Sequence, residues 1–88
     1  MKTQFKESFA RDLRHIRERS LLARIRQAIE NVEEAKSLEE IPHLRKLQGG
    51  DHCYRIRVGD YRIGVVLEDD VVIFVRVLNR RDVYRYFP

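Results

Sequence analysis

Three arginines, Arg55, Arg57 and Arg62, sit in the stretch YRIRVGDYRIG, alternating with apolar residues on either side of Gly59-Asp60. A guanidinium carries five donors in a rigid fork and stays protonated at any working pH. Several of them together suit a phosphate, above all one that gains charge during transfer. The same property rules arginine out as a proton acceptor. The terminal sequence NRRDVYRYFP adds Arg80, Arg81 and Arg85, with Tyr84 and Tyr86 among them. A tyrosine beside arginines can stack on a nucleobase or exchange a proton. A plainer account is as concrete: arginines on an amphipathic strand face water, and aromatics in a short tail anchor it. Spacing alone leaves both readings open.

Other chemistries find little support. His15, His43, His52 and Cys53 fit no metal-ligand spacing, so no metal site is expected. Gly-rich phosphate loops, nucleophile elbows and paired-carboxylate sites are absent from the sequence, and no cofactor is expected. With one cysteine, Cys53, no intrachain disulfide can form, which suits a reducing cytoplasm. The start, MKTQFKESFARDL, is charged throughout, unlike a secretory signal. No apolar run approaches the ~20 residues that span a bilayer. A cytoplasmic protein without a membrane partner is the expectation.

The chain has 88 residues and a net charge of +4, from 18 basic and 14 acidic residues. That length predicts one domain over 1–88, small enough to bury only about 60–65% of its unfolded surface. The charge is unevenly spread. Residues 1–42 carry nine Lys/Arg against eight Asp/Glu; residues 43–88 carry nine against six, and three of those six are Glu68, Asp69 and Asp70 in one loop. Positive potential therefore concentrates in the C-terminal half, which permits a polyanionic partner.

The elements that must position these groups follow from periodicity. Residues 2–5, KTQF, are a candidate strand, expected to pair beside the last one. Phe9, Leu13 and Ile16 mark one face of a helix from Glu7 to Arg17. Ser20 is a candidate N-cap for a second helix, with a stripe of Leu21, Ile25, Ala28, Val32 and Ala35. A short link near Arg19-Ser20 predicts an antiparallel helical hairpin. Residues 37–51 read as a loop with a helical turn that Pro42 limits. Three strands follow, 54–58, 61–68 and 71–78, and Gly59-Asp60 is a two-residue turn that sets Arg57 opposite Arg62. At Glu68-Asp69-Asp70 a three-residue loop is preferred. It puts Arg76 beside Arg62, whereas a two-residue loop buries Arg76 among Ile63 and Val65. The fold class is α+β: a mostly antiparallel twisted sheet packed against an N-terminal helical hairpin, in the order β-α-α-β-β-β, with a short tail.

Taken together, LRKLQGG, CYRIRVGDYRIGVVLEDDVVIFVRVL and NRRDVYRYF resemble the RelE/ParE superfamily of bacterial toxins, most strongly from Leu44 to Phe87. The resemblance implies the toxin of a type II toxin–antitoxin pair, with a cognate antitoxin as partner. RelE-like members cut messenger RNA in the ribosomal decoding site without a metal; ParE-like members share the fold and poison DNA gyrase. By position, Arg55 and Arg57 match the family's paired basic residues, Arg62 the hairpin arginine, Arg81 (or equally Arg80) the tail arginine, and Tyr84 the tail tyrosine. The resemblance implies that Arg62, Arg81 and Tyr84 carry the cleavage, while Arg55, Arg57, Arg80 and Lys46 hold RNA. Two positions depart from the pattern. Arg55 and Arg57 stand where RelE itself has lysines, and Asn79 stands where many relatives have a histidine. The general base stays open among Tyr84, Glu68 and a histidine of the 43–52 segment. The rival expectations are a gyrase inhibitor and an RNA-binding module without catalysis.

Overall fold

The Gly59-Asp60 turn organises the sheet. In the computed structural model, which describes all residues 1–88, Val58 pairs with Tyr61 and Arg57 faces Arg62 across the ladder. Gly59 takes φ +58°, the left-handed conformation that a tight hairpin needs and glycine adopts without strain. The chain runs β1 (Lys2–Phe5), α1 (Glu7–Arg14), α2 (Arg19–Glu34), β2 (Leu44–Lys46), β3 (Cys53–Val58), β4 (Tyr61–Glu68), β5 (Val71–Asn79) and α3 (Val83–Tyr86), with a 3-10 turn at Leu38–Glu40. The five strands lie in the order β1-β5-β4-β3-β2. β1 lies beside β5, as expected for residues 2–5, and runs parallel to it; every other pair is antiparallel.

The helical stripes are where the sequence puts them. Phe9 on α1 and Leu21, Ile25, Ala28 and Val32 on α2 are buried. They meet Ile56, Val58, Ile63, Val65, Phe74 and Val77 of the sheet in the main core. Burial of each large side chain stabilises the fold by about 1.5–3 kcal/mol relative to exposure. Phe9 lies 5.4 Å from Phe74 between ring centroids, and Phe5 stacks on Phe74 at 5.0 Å. The helix boundaries shift. α1 stops at Arg14 rather than Arg17, and residue 18, not Ser20, precedes α2 as its cap. The Ser20 hydroxyl donates to the Glu18 carboxylate at 2.9 Å instead of capping a backbone N–H.

The loop between β4 and β5 corrects the expected register. It is a two-residue turn, with Glu68 paired to Val71 and both Asp69 (φ +49°) and Asp70 (φ +66°) left-handed. Aspartate is among the few non-glycine residues that tolerate this conformation. The burial of Arg76 that such a turn threatens is avoided by a β-bulge. Gly64 pairs with Arg76 and Val65 pairs with Phe74, so Val75 is an extra residue on β5. The bulge reverses the facing of everything after it. Phe74 and Val77 both reach the core, while Arg62 stands opposite Leu78 rather than beside Arg76.

Two further elements were not anticipated. β2 forms inside the segment read as a loop, and the tail contains α3. α3 covers part of the sheet face opposite α1 and α2. There Leu47, Val83 and Phe87 are buried against Cys53, Val66, Val75 and Leu78. Phe87 is the anchor expected of the tail. It packs so closely on Gly64 that a Cβ there would lie 2.6 Å from its ring. Tyr86 is exposed but stands over the Arg76 guanidinium, 5.8 Å from centroid to Cζ. No helix is long and apolar enough to cross a membrane.

Candidate functional site

Period-two alternation sends Ile56 and Val58 into the core and turns Arg55 and Arg57 to the opposite face. Arg62 lies on that same face, since its β4 neighbour Ile63 is buried in the core. Arg57 and Arg62 are direct cross-strand partners, a spacing of about 4.5–5.5 Å between Cβ atoms at which like charges repel. Arg62 folds back on the turn: its Nη1 donates to the Gly59 carbonyl at 2.9 Å and the Tyr61 carbonyl at 3.0 Å. The chain leaving β5 is tied to the same turn by the Arg80 N–H, which donates to the Asp60 carbonyl at 2.8 Å. From the helical side, α2 contributes Arg24. A Cβ on Gly59 would lie 2.8 Å from the Arg24 guanidinium, so the absence of a side chain at Gly59 lets α2 approach the turn.

These constraints converge. Arg24, Arg57, Arg62 and Arg80, with His43, Gly59 and Asp60, line one hollow of about 360 Å³. None of the four guanidinium groups has a carboxylate oxygen within 4.0 Å; the chain's side-chain ion pairs are Arg14–Glu7 and Arg76–Asp12. A second hollow, of about 220 Å³, is lined by His43, Leu44, Arg45, Arg55 and Arg57. It shares His43 and Arg57 with the first. The His43 carbonyl accepts from the Arg57 N–H at 3.2 Å and from Arg55 Nη1 at 3.3 Å. A basic strip therefore runs around the end of the β3–β4 hairpin. Such a concave, single-sign surface concentrates anions.

The expected site residues divide. Arg57, Arg62 and Arg80 share one hollow, and Arg55 lies in the adjoining one. Arg81 and Tyr84 line neither. The Arg81 N–H donates to Asn79 Oδ1 at 3.0 Å, and Tyr84 projects from α3 with 60% of its surface exposed. Lys46, paired with Tyr54 at the sheet edge, is exposed and also lines neither hollow. Arg24, Arg45 and His43 are the additions that residue spacing did not single out together. Arg24 is 33 residues before Arg57 in sequence, and only the packing of α2 over the hairpin joins them.

Arg76 is the arginine that the structure removes from the group. Its Nε and Nη2 grip Asp12 of α1 at 2.7 and 3.1 Å, and Asp12 Oδ2 also accepts the Val77 N–H at 3.0 Å. The hydrogen bond to Asp12 raises the Arg76 pKa above its ordinary value, against the opposing effect of burial. Asp12 and the Ser8 hydroxyl, which donates to the Val75 carbonyl at 2.6 Å, serve the stretch of β5 that β1 is too short to cover.

Comparison with known proteins agrees with this architecture. Residues 3–84 match the family described as ParE toxin of type II toxin–antitoxin system, parDE. The chain is 40% identical to Toxin RelE3 of Methanocaldococcus jannaschii over 89 residues, covering 100% of both. A chain of the RelB–RelE antitoxin–toxin complex from Methanococcus jannaschii superposes with a TM-score of 0.81 at 39% identity, over 97% of this chain and 99% of that one. A chain of the intact Escherichia coli RelBE complex shares the fold, with a TM-score of 0.70 at 22% identity over 89% and 94%. The two jannaschii relatives are archaeal, so these matches carry the family without a bacterial source. With nearly its whole length matched, the chain belongs to the RelE/ParE family of toxins of type II toxin–antitoxin systems.

Proposed function

We propose that this toxin is a metal-independent endoribonuclease that cleaves messenger RNA on the ribosome, in the cytoplasm, and is held in check by a cognate antitoxin. One observation carries the reading: four guanidinium groups surround one hollow and none is neutralised by a carboxylate. Gathered like charges repel one another within the fold, and a bound polyanion would relieve that repulsion. In the reaction the 2′-oxygen attacks the adjacent phosphorus, the bond to the 5′-oxygen breaks, and a 2′,3′-cyclic phosphate and a 5′-hydroxyl result. Arg62 and Arg80 stabilise the charge that develops on phosphorus, and Arg55 and Arg57 hold flanking phosphates. Arg81 and Tyr84 meet the substrate from the exposed side of the tail, where Tyr84 stacks on a base. The protein depends on the ribosome to align the RNA, which can be worth several powers of ten.

The antitoxin is an acidic partner that covers the basic strip. A relative solved as a toxin–antitoxin complex supports an antitoxin partner, and the unpaired cationic surface favours an acidic one. The test of the function is cleavage of messenger RNA on programmed ribosomes by Arg62→Ala. Loss of one well-aimed donor should cost about 10²–10³ in rate. A rate within a few-fold of wild type refutes the assignment. The family description matched is that of a ParE toxin, which favours one second reading, a gyrase inhibitor without chemistry of its own. Gyrase supercoiling assays with the purified toxin separate the two.

A further inference from the structure

The basic hollow has cations in plenty and, among its lining side chains, two that can accept a proton. Arginine stays charged throughout the accessible pH range, which leaves His43 and Asp60. Asp60 sits at the tip of the hairpin turn. His43 stands where the two hollows join and lines both.

The backbone holds it there. His43 takes φ +63°, a left-handed conformation uncommon for a residue with a side chain. Two hydrogen bonds fix it, from the Arg57 N–H and from Arg55 Nη1 to the His43 carbonyl. The same two arginines that face the anion site thus clamp the peptide of the histidine. Any turn-forming residue could satisfy the backbone here; an imidazole in the mouth of a guanidinium cluster does something more. Histidine is the side chain whose ordinary charge change falls between about pH 5 and 8.

We propose that His43 is the proton acceptor for the RNA 2′-hydroxyl in the cleavage, an inference that rests on the ribonuclease reading above. The neutral imidazole takes the 2′-OH proton as the 2′-oxygen forms its bond to phosphorus. The bond from phosphorus to the 5′-oxygen breaks, that oxygen is protonated by water, and the imidazolium returns its proton to the hydroxide left behind. The charged groups that line the hollow with His43 are Arg24 from α2, Arg57 from β3, Arg62 from β4, and Asp60 and Arg80 from the turn and the segment after β5. Arg45 and Arg55 approach from the side of β2 and β3. Asp60 is the one acidic group among them.

Single-turnover cleavage of messenger RNA on ribosomes, measured from pH 5.5 to 9, tests the role. The wild-type rate should rise with pH through a single limb and then level off. His43→Asn keeps a residue that tolerates the left-handed backbone and removes the base. It should lower the plateau rate by about 10²-fold or more and abolish the limb, with binding to programmed ribosomes kept within a few-fold. His43→Gly, for which φ +63° is unstrained, guards against misfolding; added imidazole should restore part of its activity. A His43→Asn rate within three-fold of wild type with the limb intact overturns the proposal, as does disappearance of the limb in Asp60→Asn alone. If wild-type protein cleaves no messenger RNA under any condition, the ribonuclease reading falls and this inference with it. If Arg62→Ala is dead while His43→Asn is normal, only the inference falls.

Discussion

Arg76 and Arg62 lie two pairings apart along the β4–β5 ladder, yet they live in opposite electrostatic regimes. Arg76 reaches α1 and meets a two-pronged carboxylate, Asp12, that also serves the backbone of β5. Arg62, with Arg24, Arg57 and Arg80, meets no carboxylate and surrounds an open hollow. The Arg76 stretch of the β4–β5 ladder is arranged for stability. The other stretch keeps like charges together at some cost to stability, which makes sense if an external anion completes the arrangement. Charge count does not separate the two; the presence of a partner within the fold does.

The contrast predicts substitutions with opposite signatures. The largest effect belongs to Arg62→Ala: about 3–4 kcal/mol of transition-state stabilisation lost, read as messenger RNA cleavage, with thermal unfolding changed by no more than about 0.5 kcal/mol. Next comes Asp12→Ala, which leaves the Arg76 guanidinium and the Val77 N–H without their partner. Both side chains of the pair are largely covered, with Arg76 26% and Asp12 11% exposed, so the loss should reach about 2–3 kcal/mol in chemical denaturation. That loss should be nearly constant with pH on the Arg76 side. A raised arginine pKa contributes stability at all pH values below its unfolded pKa and loses it only as pH climbs through the folded one, beyond the range where the protein is handled. Gly64→Ala should cost about 1–3 kcal/mol by pushing Phe87 off the sheet, loosening α3 as seen by amide exchange. The smallest effect has the opposite sign. Arg57→Ser relieves the Arg57–Arg62 repulsion and should stabilise the free toxin by a few tenths of a kcal/mol, while lowering the salt slope of RNA binding by about one phosphate.

What the sequence discloses and what it hides divide along a physical line. Local periodicity exposed the α2 stripe, the β3–β4 turn and the Arg57–Arg62 pairing, because each depends on residues close in the chain. The bulge at Gly64 lies outside any reading in which the strand is regular. An isolated glycine inside an apolar strand signals either a bulge or a close approach, and Gly64 provides both, pairing beside the bulge and lying under Phe87. β2 is three residues long with no alternation to detect. Its neighbour His43 is defined by a left-handed φ that sequence does not print. Arg24 needed the packing of α2 over the hairpin. Arg81 and Tyr84 follow from the family pattern rather than from any periodicity, and both are exposed.

The central claim is that position, and not net charge, makes the hollow an RNA site. Its most direct measurement compares two triple variants with the same net charge in single-turnover messenger RNA cleavage on ribosomes. One is Arg57→Ala/Arg62→Ala/Arg80→Ala, which empties the hollow; the other is Arg14→Ala/Arg17→Ala/Arg26→Ala, which strips arginines that do not line it. Both lower the net charge from +4 to +1. A loss of at least about 10³-fold in the first, with the second within a few-fold of wild type, is the predicted result. Equal losses in the two would contradict it and reduce the four converging guanidinium groups to a general positive charge.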